Sequence, residues 1–150
     1  MTSDWKNEPC VVLDPCALIA FFNDEPGAGV VASLLEEVRS VEMSAVNLLE
    51  IAYDSIRRTG DPQSAGEVLD AVRQLPIRIH WNIDDAVFFD VARFKAGYRI
   101  SLADAFALAL AKTLGAPVAT SDHHEFDSIE RPAPRALSGF DRSAIRSTII

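Results

Sequence analysis

With 150 residues, 49% of them hydrophobic and 24% charged, the chain has the size and balance of one globular domain. It should bury roughly 70% of the surface its unfolded form exposes, and disordered, collagen-like and coiled-coil architectures are excluded. The 14 Lys and Arg against 22 Asp and Glu leave a net charge of −8, which excludes a protein that coats nucleic acid through a general positive field.

In chain order, Cys10-Val11-Val12-Leu13 is a short continuous apolar run that suits a strand buried on both faces of a parallel sheet. Helix-period apolar residues follow from Ala17 to Phe22 and from Gly29 to Val38, with Pro26-Gly27 as the break between them. Val41-Glu42-Met43 reads as a second strand. Ser44 reads as the N-cap of a helix from Ala45 to about Arg58, stopped by Thr59-Gly60-Asp61-Pro62, and another helix runs to about Gln74. Ile77 to His80 alternates as a strand, Ile83 to Ala96 returns to a helical period, and Gly97 is read as its C-cap. Phe88-Phe89 with Val91-Ala92 is read as core, with a dimer or antitoxin face as the alternative for any exposed part. Ser101 caps a helix through Leu114, Gly115-Ala116 closes it, Pro117 to Thr120 is a strand, and Ser121 to Phe126 is a turn. Strands alternating with helices predict an α/β fold, a three-layer α/β/α sandwich with a mostly parallel central sheet.

No apolar run reaches the ~18 residues of a membrane span, because Asp14 and Asp104 interrupt the two best stretches. The N-terminus carries neither a basic nor an apolar signal region, so a soluble, cytoplasmic protein is expected. Cys10 and Cys16, at opposite ends of the first predicted strand, are expected as reduced thiols.

Ligands of open parallel sheets gather beyond the carboxyl ends of the strands, and four acids fall there: Asp14, Glu50, Asp104 and Asp122. Helix capping explains three of them individually. Asp14-Pro15 is a good cap with proline at the first helical position, Asp122 to Glu125 fits a capping box, and Ser101 to Asp104 is a weaker box. Glu50 lies inside its helix with a like charge, Asp54, four residues on, and Arg57 or Arg58 is its candidate structural partner. Asp104 sits in a segment apolar almost all round, where a buried carboxylate needs a partner. Gathered at one sheet edge, four carboxylates repel one another unless cations occupy the site. All-oxygen ligation suits Mg²⁺ or Mn²⁺, which would also supply locally the positive charge an acidic protein needs to meet nucleic acid.

Val11-Val12-Leu13-Asp14 followed by Ala17 to Ala20, Glu50 within Ser44 to Ala52, Leu102-Ala103-Asp104-Ala105 before an Ala/Leu helix, and Thr120-Ser121-Asp122 with Phe126 resemble, in order and context, the PIN-domain nucleases, particularly VapC-like toxins. The resemblance covers about residues 10–128. It implies a Mg²⁺- or Mn²⁺-dependent endoribonuclease with Asp14, Glu50, Asp104 and Asp122 around the metal, a homodimer, and a cognate VapB-like antitoxin. The family usually has Ser or Thr two residues after the first Asp, where this chain has Cys16. That departure motivates a second reading, a PIN-like binding protein with little nuclease activity.

A third reading makes Cys16 a nucleophile with His123 or His124 as base. Structural zinc is disfavoured, because the two cysteines with His80, His123 and His124 show no paired ligand spacing. Arg57, Arg58, Arg93, Lys95 and Arg99 are candidate phosphate contacts. Residues 1–128 are expected to form the PIN-like domain. Residues 129–150, with Arg131, Arg135, Arg142 and Arg146 against Glu130 and Asp141 for a net +2, are expected as its C-terminal extension.

Overall fold

A computed structural model describes residues 8–38 and 40–120 and the backbone of 147–149. Among the described residues, five strands form one sheet: β1 (Val11–Leu13), β2 (Val41–Ser44), β3 (Ile77–His80), β4 (Val118–Thr120) and β5 (Ser147–Ile149). Their spatial order is β3-β2-β1-β4-β5, and every neighbouring pair is parallel. Among the described residues the helices are α1 (Pro15–Phe22), α2 (Ala28–Glu37), α3 (Ala45–Thr59), α4 (Ser64–Arg73), α5 (Asp85–Gly97) and α6 (Leu102–Leu114).

The layers follow from the two-residue period of a strand. Val11 and Leu13 of β1 join a core shared with α1 to α4, whereas Val12 between them joins a second core with α5 and α6. In β4, Ala119 faces the first core and Val118 the second. The sheet therefore has helices on both faces, the expected three-layer sandwich, and the continuous apolar run of β1 is the consequence.

Local signals set most element boundaries. Asp14 caps α1 with Pro15 at its first position, Ser44 caps α3, and Ser101 with Asp104 forms a complete capping box on α6. Gly60 and Gly115 end α3 and α6 at φ 70° and 61°, in the left-handed region that glycine enters without steric cost.

Two expectations need correction. Gly97 is the last residue of α5 rather than its cap, and Tyr98 leaves the helix in extended conformation, with its N–H donating to the Phe94 carbonyl at 3.1 Å. The chain continues straight toward buried Ile100, so no left-handed turn is needed. Phe88 and Phe89 are not core: they are 61% and 56% exposed and touch each other edge to face. Val87, Val91 and Phe94 make the stripe that packs with α6 residues, and at about 100° per residue the two phenylalanines rotate off that face. The sequence reading assigned no element to the chain's end, where β5 adds a parallel edge strand beside β4.

No disulfide joins Cys10 and Cys16. His80 engages Glu42 of β2, whose other carboxylate oxygen accepts from the Ser40 hydroxyl at 2.5 Å. This contact ties β3 to β2 through their side chains.

Candidate functional site

From β1 the chain builds outward through β2 and β3, then returns to place β4 on the other side of β1. The strand order thus reverses between β1 and β4, and a ligand crevice is expected beyond their carboxyl ends. Asp14 immediately follows β1, and Thr120 ends β4.

Asp14 is 1% exposed and performs two tasks at once. Its Oδ1 accepts from the Ala17 backbone N–H at 3.1 Å, the capping contact. Its Oδ2 accepts from the Thr120 hydroxyl at 2.7 Å, and its own N–H donates to the Ala119 carbonyl at 3.1 Å. Burial pushes its pKa up to about 7. The hydrogen bonds from Thr120, Ala17 and the Cys16 backbone oppose that rise, and the charge of Asp104 adds to it.

Asp104 is 4% exposed. The partner its burial requires is its own helix start: Ser101 N–H donates to its Oδ2 at 3.3 Å, and the Asp104 N–H donates to the Ser101 hydroxyl at 3.1 Å. The positive end of the α6 dipole favours an acid there. Glu50, half-buried on α3, has its pKa raised by desolvation, then by Asp104, then by Asp54. The arginines expected to neutralise it do not. Arg57 and Arg58 both pair with Asp54, at 2.7 and 2.9 Å, and among the described residues no cation pairs with Glu50. Three of the four expected acids therefore share one electrostatic neighbourhood centred on Asp104. Asp122 lies outside the described residues, as do His123 and His124.

Two residues that sequence reasoning did not single out belong to this neighbourhood. Thr120 is one, legible only as a hydroxyl at the end of a strand. The other is Asn47, one helical turn before Glu50 and fully buried. Its Nδ2 donates to the Ala103 carbonyl at 2.8 Å, and its Oδ1 has no hydrogen-bond partner among the described residues. An acceptor buried in that condition costs about 1–3 kcal/mol. Two of the other expected phosphate contacts are engaged elsewhere: Arg93 lies 3.7 Å from Asp90, and Lys95 donates to the Ile100 carbonyl at 2.7 Å.

Among the described residues, no three His, Cys, Asp or Glu side chains close tightly enough to enclose an ion by themselves. The donor set nevertheless suits a hard divalent cation: Asp14, Glu50 and Asp104 offer only oxygen, and the raised proton affinity of Asp14 and Glu50 is the repulsion and desolvation a cation would relieve.

The family model described as PIN domain matches residues 11–132. Comparison with curated protein sequences gives no significant match. Among solved structures, VapBC2 from Rickettsia felis, bound to a DNA fragment from its promoter, aligns with 94% of this chain and 98% of its own at a TM-score of 0.64 and 14% identity. VapBC-1 from nontypeable Haemophilus influenzae aligns over 93% and 97% at 0.63 and 15% identity. The sarcin-ricin loop cleaving toxin VapC20 of Mycobacterium tuberculosis aligns over 78% and 93% at 0.60 and 17% identity. At these identities the likeness is one of fold.

Proposed function

The chain belongs to the PIN domain family, and on that premise we propose that it is a Mg²⁺- or Mn²⁺-dependent endoribonuclease, the toxin of a toxin–antitoxin pair. The reading is supported by the position of Asp14 at the strand reversal and by the charge of Asp104, which raises the proton affinity of both Asp14 and Glu50. Asp14, Glu50 and Asp104, with Asp122 as the fourth carboxylate, would hold the cation. When bound, a divalent ion offsets charge on the bridging phosphate and lowers the pKa of water toward neutrality. Asp14 presents its carboxylate in one orientation because the Thr120 hydroxyl and the Ala17 N–H clamp its two oxygens. Glu50, half-buried and without a counter-charge, is suited to orient the attacking water and accept its proton. Cleavage then leaves a 5′-phosphate and a 3′-hydroxyl.

Cys16 supports a second reading, a PIN-like binding protein that cleaves little, since a thiol replaces the hydroxyl expected beside Asp14. Assay of RNA cleavage with Mg²⁺ or Mn²⁺ separates the two. Wild type is expected to cleave, Asp104→Asn to lose on the order of 100-fold or more, and Cys16→Ser to match or exceed wild type. An inert wild type that binds no cation and is not restored by Cys16→Ser removes the nuclease reading.

A VapB-like antitoxin is the proposed partner, supported by structural neighbours that are toxin–antitoxin complexes, and the cytoplasm is the proposed setting. No helix among the described residues is long and apolar enough to cross a membrane. Residues 129–150 are taken as an extension of the same domain, a reading that β5 supports. A homodimer would cover the exposed Phe88 and Phe89, with Trp81 and Ile83 just before them at 60% and 56% exposure. The double variant Phe88→Glu, Phe89→Glu is expected to weaken self-association at least tenfold in sedimentation velocity without unfolding the chain; a dimer that survives it has its contact elsewhere.

A further inference from the structure

Asn47 is a fully buried polar side chain placed one helical turn before Glu50 and bonded to the residue preceding Asp104. Its amide orientation is decided by that bond. Turning it over would set Oδ1 against the Ala103 carbonyl, two acceptors face to face, so Nδ2 is the atom that donates at 2.8 Å and Oδ1 is the atom left over. No hydrogen bond reaches Oδ1 from the described residues. A buried acceptor is ordinarily satisfied, by protein or by an ordered water, and this one lies in the seam between the two helices that carry Glu50 and Asp104. Mg²⁺ and, by the same preference for oxygen, Mn²⁺ keep part of their hydration shell when held by carboxylates. Such water is a donor of the kind Oδ1 lacks.

We propose that Asn47 is a positioning residue of the carboxylate site: its side-chain N–H fastens α3 to the first turn of α6, and its carbonyl oxygen accepts a hydrogen bond from a water that enters with the hydrated cation. The proposal rests on the cation-dependent reading above. It divides the amide into two halves with different consequences. The donor half sets the separation of Glu50 and Asp104 whether or not a cation is bound. The acceptor half matters only in the loaded site.

The two halves separate by measuring Mn²⁺ affinity, from the electron paramagnetic resonance of free Mn²⁺, alongside the melting temperature in EDTA. Asn47→Leu, similar in size, removes both the bond and the orphaned acceptor. It is expected to weaken Mn²⁺ binding 10- to 100-fold while melting in EDTA close to wild type. Asn47→Asp keeps an acceptor and loses the donor. It is expected to bind Mn²⁺ more tightly than Asn47→Leu and to melt lower than wild type, because a carboxylate then faces the Ala103 carbonyl. Should Asn47→Leu not fold, Asn47→Ala carries the same affinity expectation. Mn²⁺ affinity of Asn47→Leu or Asn47→Ala within threefold of wild type overturns the proposal and leaves the cation-dependent reading standing. Equal loss of affinity and melting temperature in the Leu and Asp variants reduces Asn47 to a structural clamp and also overturns it. A wild type that binds no Mn²⁺ removes both readings together.

Discussion

Asp14→Asn is expected to melt higher than wild type at pH 8 in EDTA, while losing cation-dependent cleavage. In the folded chain the Asp14 carboxyl holds its proton up to a pH of about 7, chiefly because it is buried, whereas its ordinary value is 3.8. Between those values the unfolded chain has lost the proton and the folded chain has kept it, so the folded state binds more protons and stability falls as pH rises. The contribution is greatest below about pH 4, declines across roughly pH 4 to 7 and is flat above. A shift of that size corresponds to about 4 kcal/mol at most, or on the order of 10 °C in melting temperature for a domain of this length. Asparagine carries no charge to desolvate, and the Thr120 hydroxyl can turn to meet its amide, so the variant should lack the decline between pH 4 and 7. Added Mg²⁺ or Mn²⁺ should stabilise wild type and not the variant. A lower melting temperature for Asp14→Asn at pH 8 in EDTA would show that the ionised carboxylate serves the fold as a cap and is not held at a cost.

Phe94→Ala carries the largest expected loss of stability. Phe94 is fully buried in the core between the sheet and α5 and α6, with Val91, Ile100 and Leu108. Truncating such a ring costs about 3–5 kcal/mol, part of it for the cavity left behind. That is a large share of the 5–15 kcal/mol typical of a domain, and it should lower the melting temperature by roughly 6–20 °C. The loss also reaches the site, since the same core seats the helix that presents Asp104. Ala92→Gln, at an exposed position of the same helix outside the Phe88–Phe89 pair, should stay within about 0.5 kcal/mol. Similar melting temperatures for Phe94→Ala and Ala92→Gln would mean that the packing between α5 and α6 contributes little.

The elements were legible because their signals are local. Ser101 and Asp104 make a capping box within four residues, and the apolar run of β1 reports burial on both faces. For Phe88 and Phe89 the exposed alternative holds rather than core, because adjacent apolar residues do not say which of them shares the buried stripe, and packing against α6 decides that. Arg57 and Arg58 were correctly placed near an acid, but i,i+3 and i,i+4 geometry brings them to Asp54 rather than to Glu50.

By itself the sequence determined an α/β chain of one domain's length and four acids in order beside their strands and helices, three of them now placed in the fold. It determined these because caps, strand runs and helical periods act over a few residues. The tertiary structure alone decided that Thr120 would reach Asp14 across 106 positions and Asn47 would reach Ala103 across 56. It also decided that burial would lift the proton affinity of Asp14 and that Asp104 would act on both Asp14 and Glu50. Desolvation and Coulomb repulsion depend on distance through space, and that distance is set by the strand order β3-β2-β1-β4-β5. The net charge of −8 excluded a general attraction to nucleic acid; that Asp104 acts on both Asp14 and Glu50 was decided by the fold.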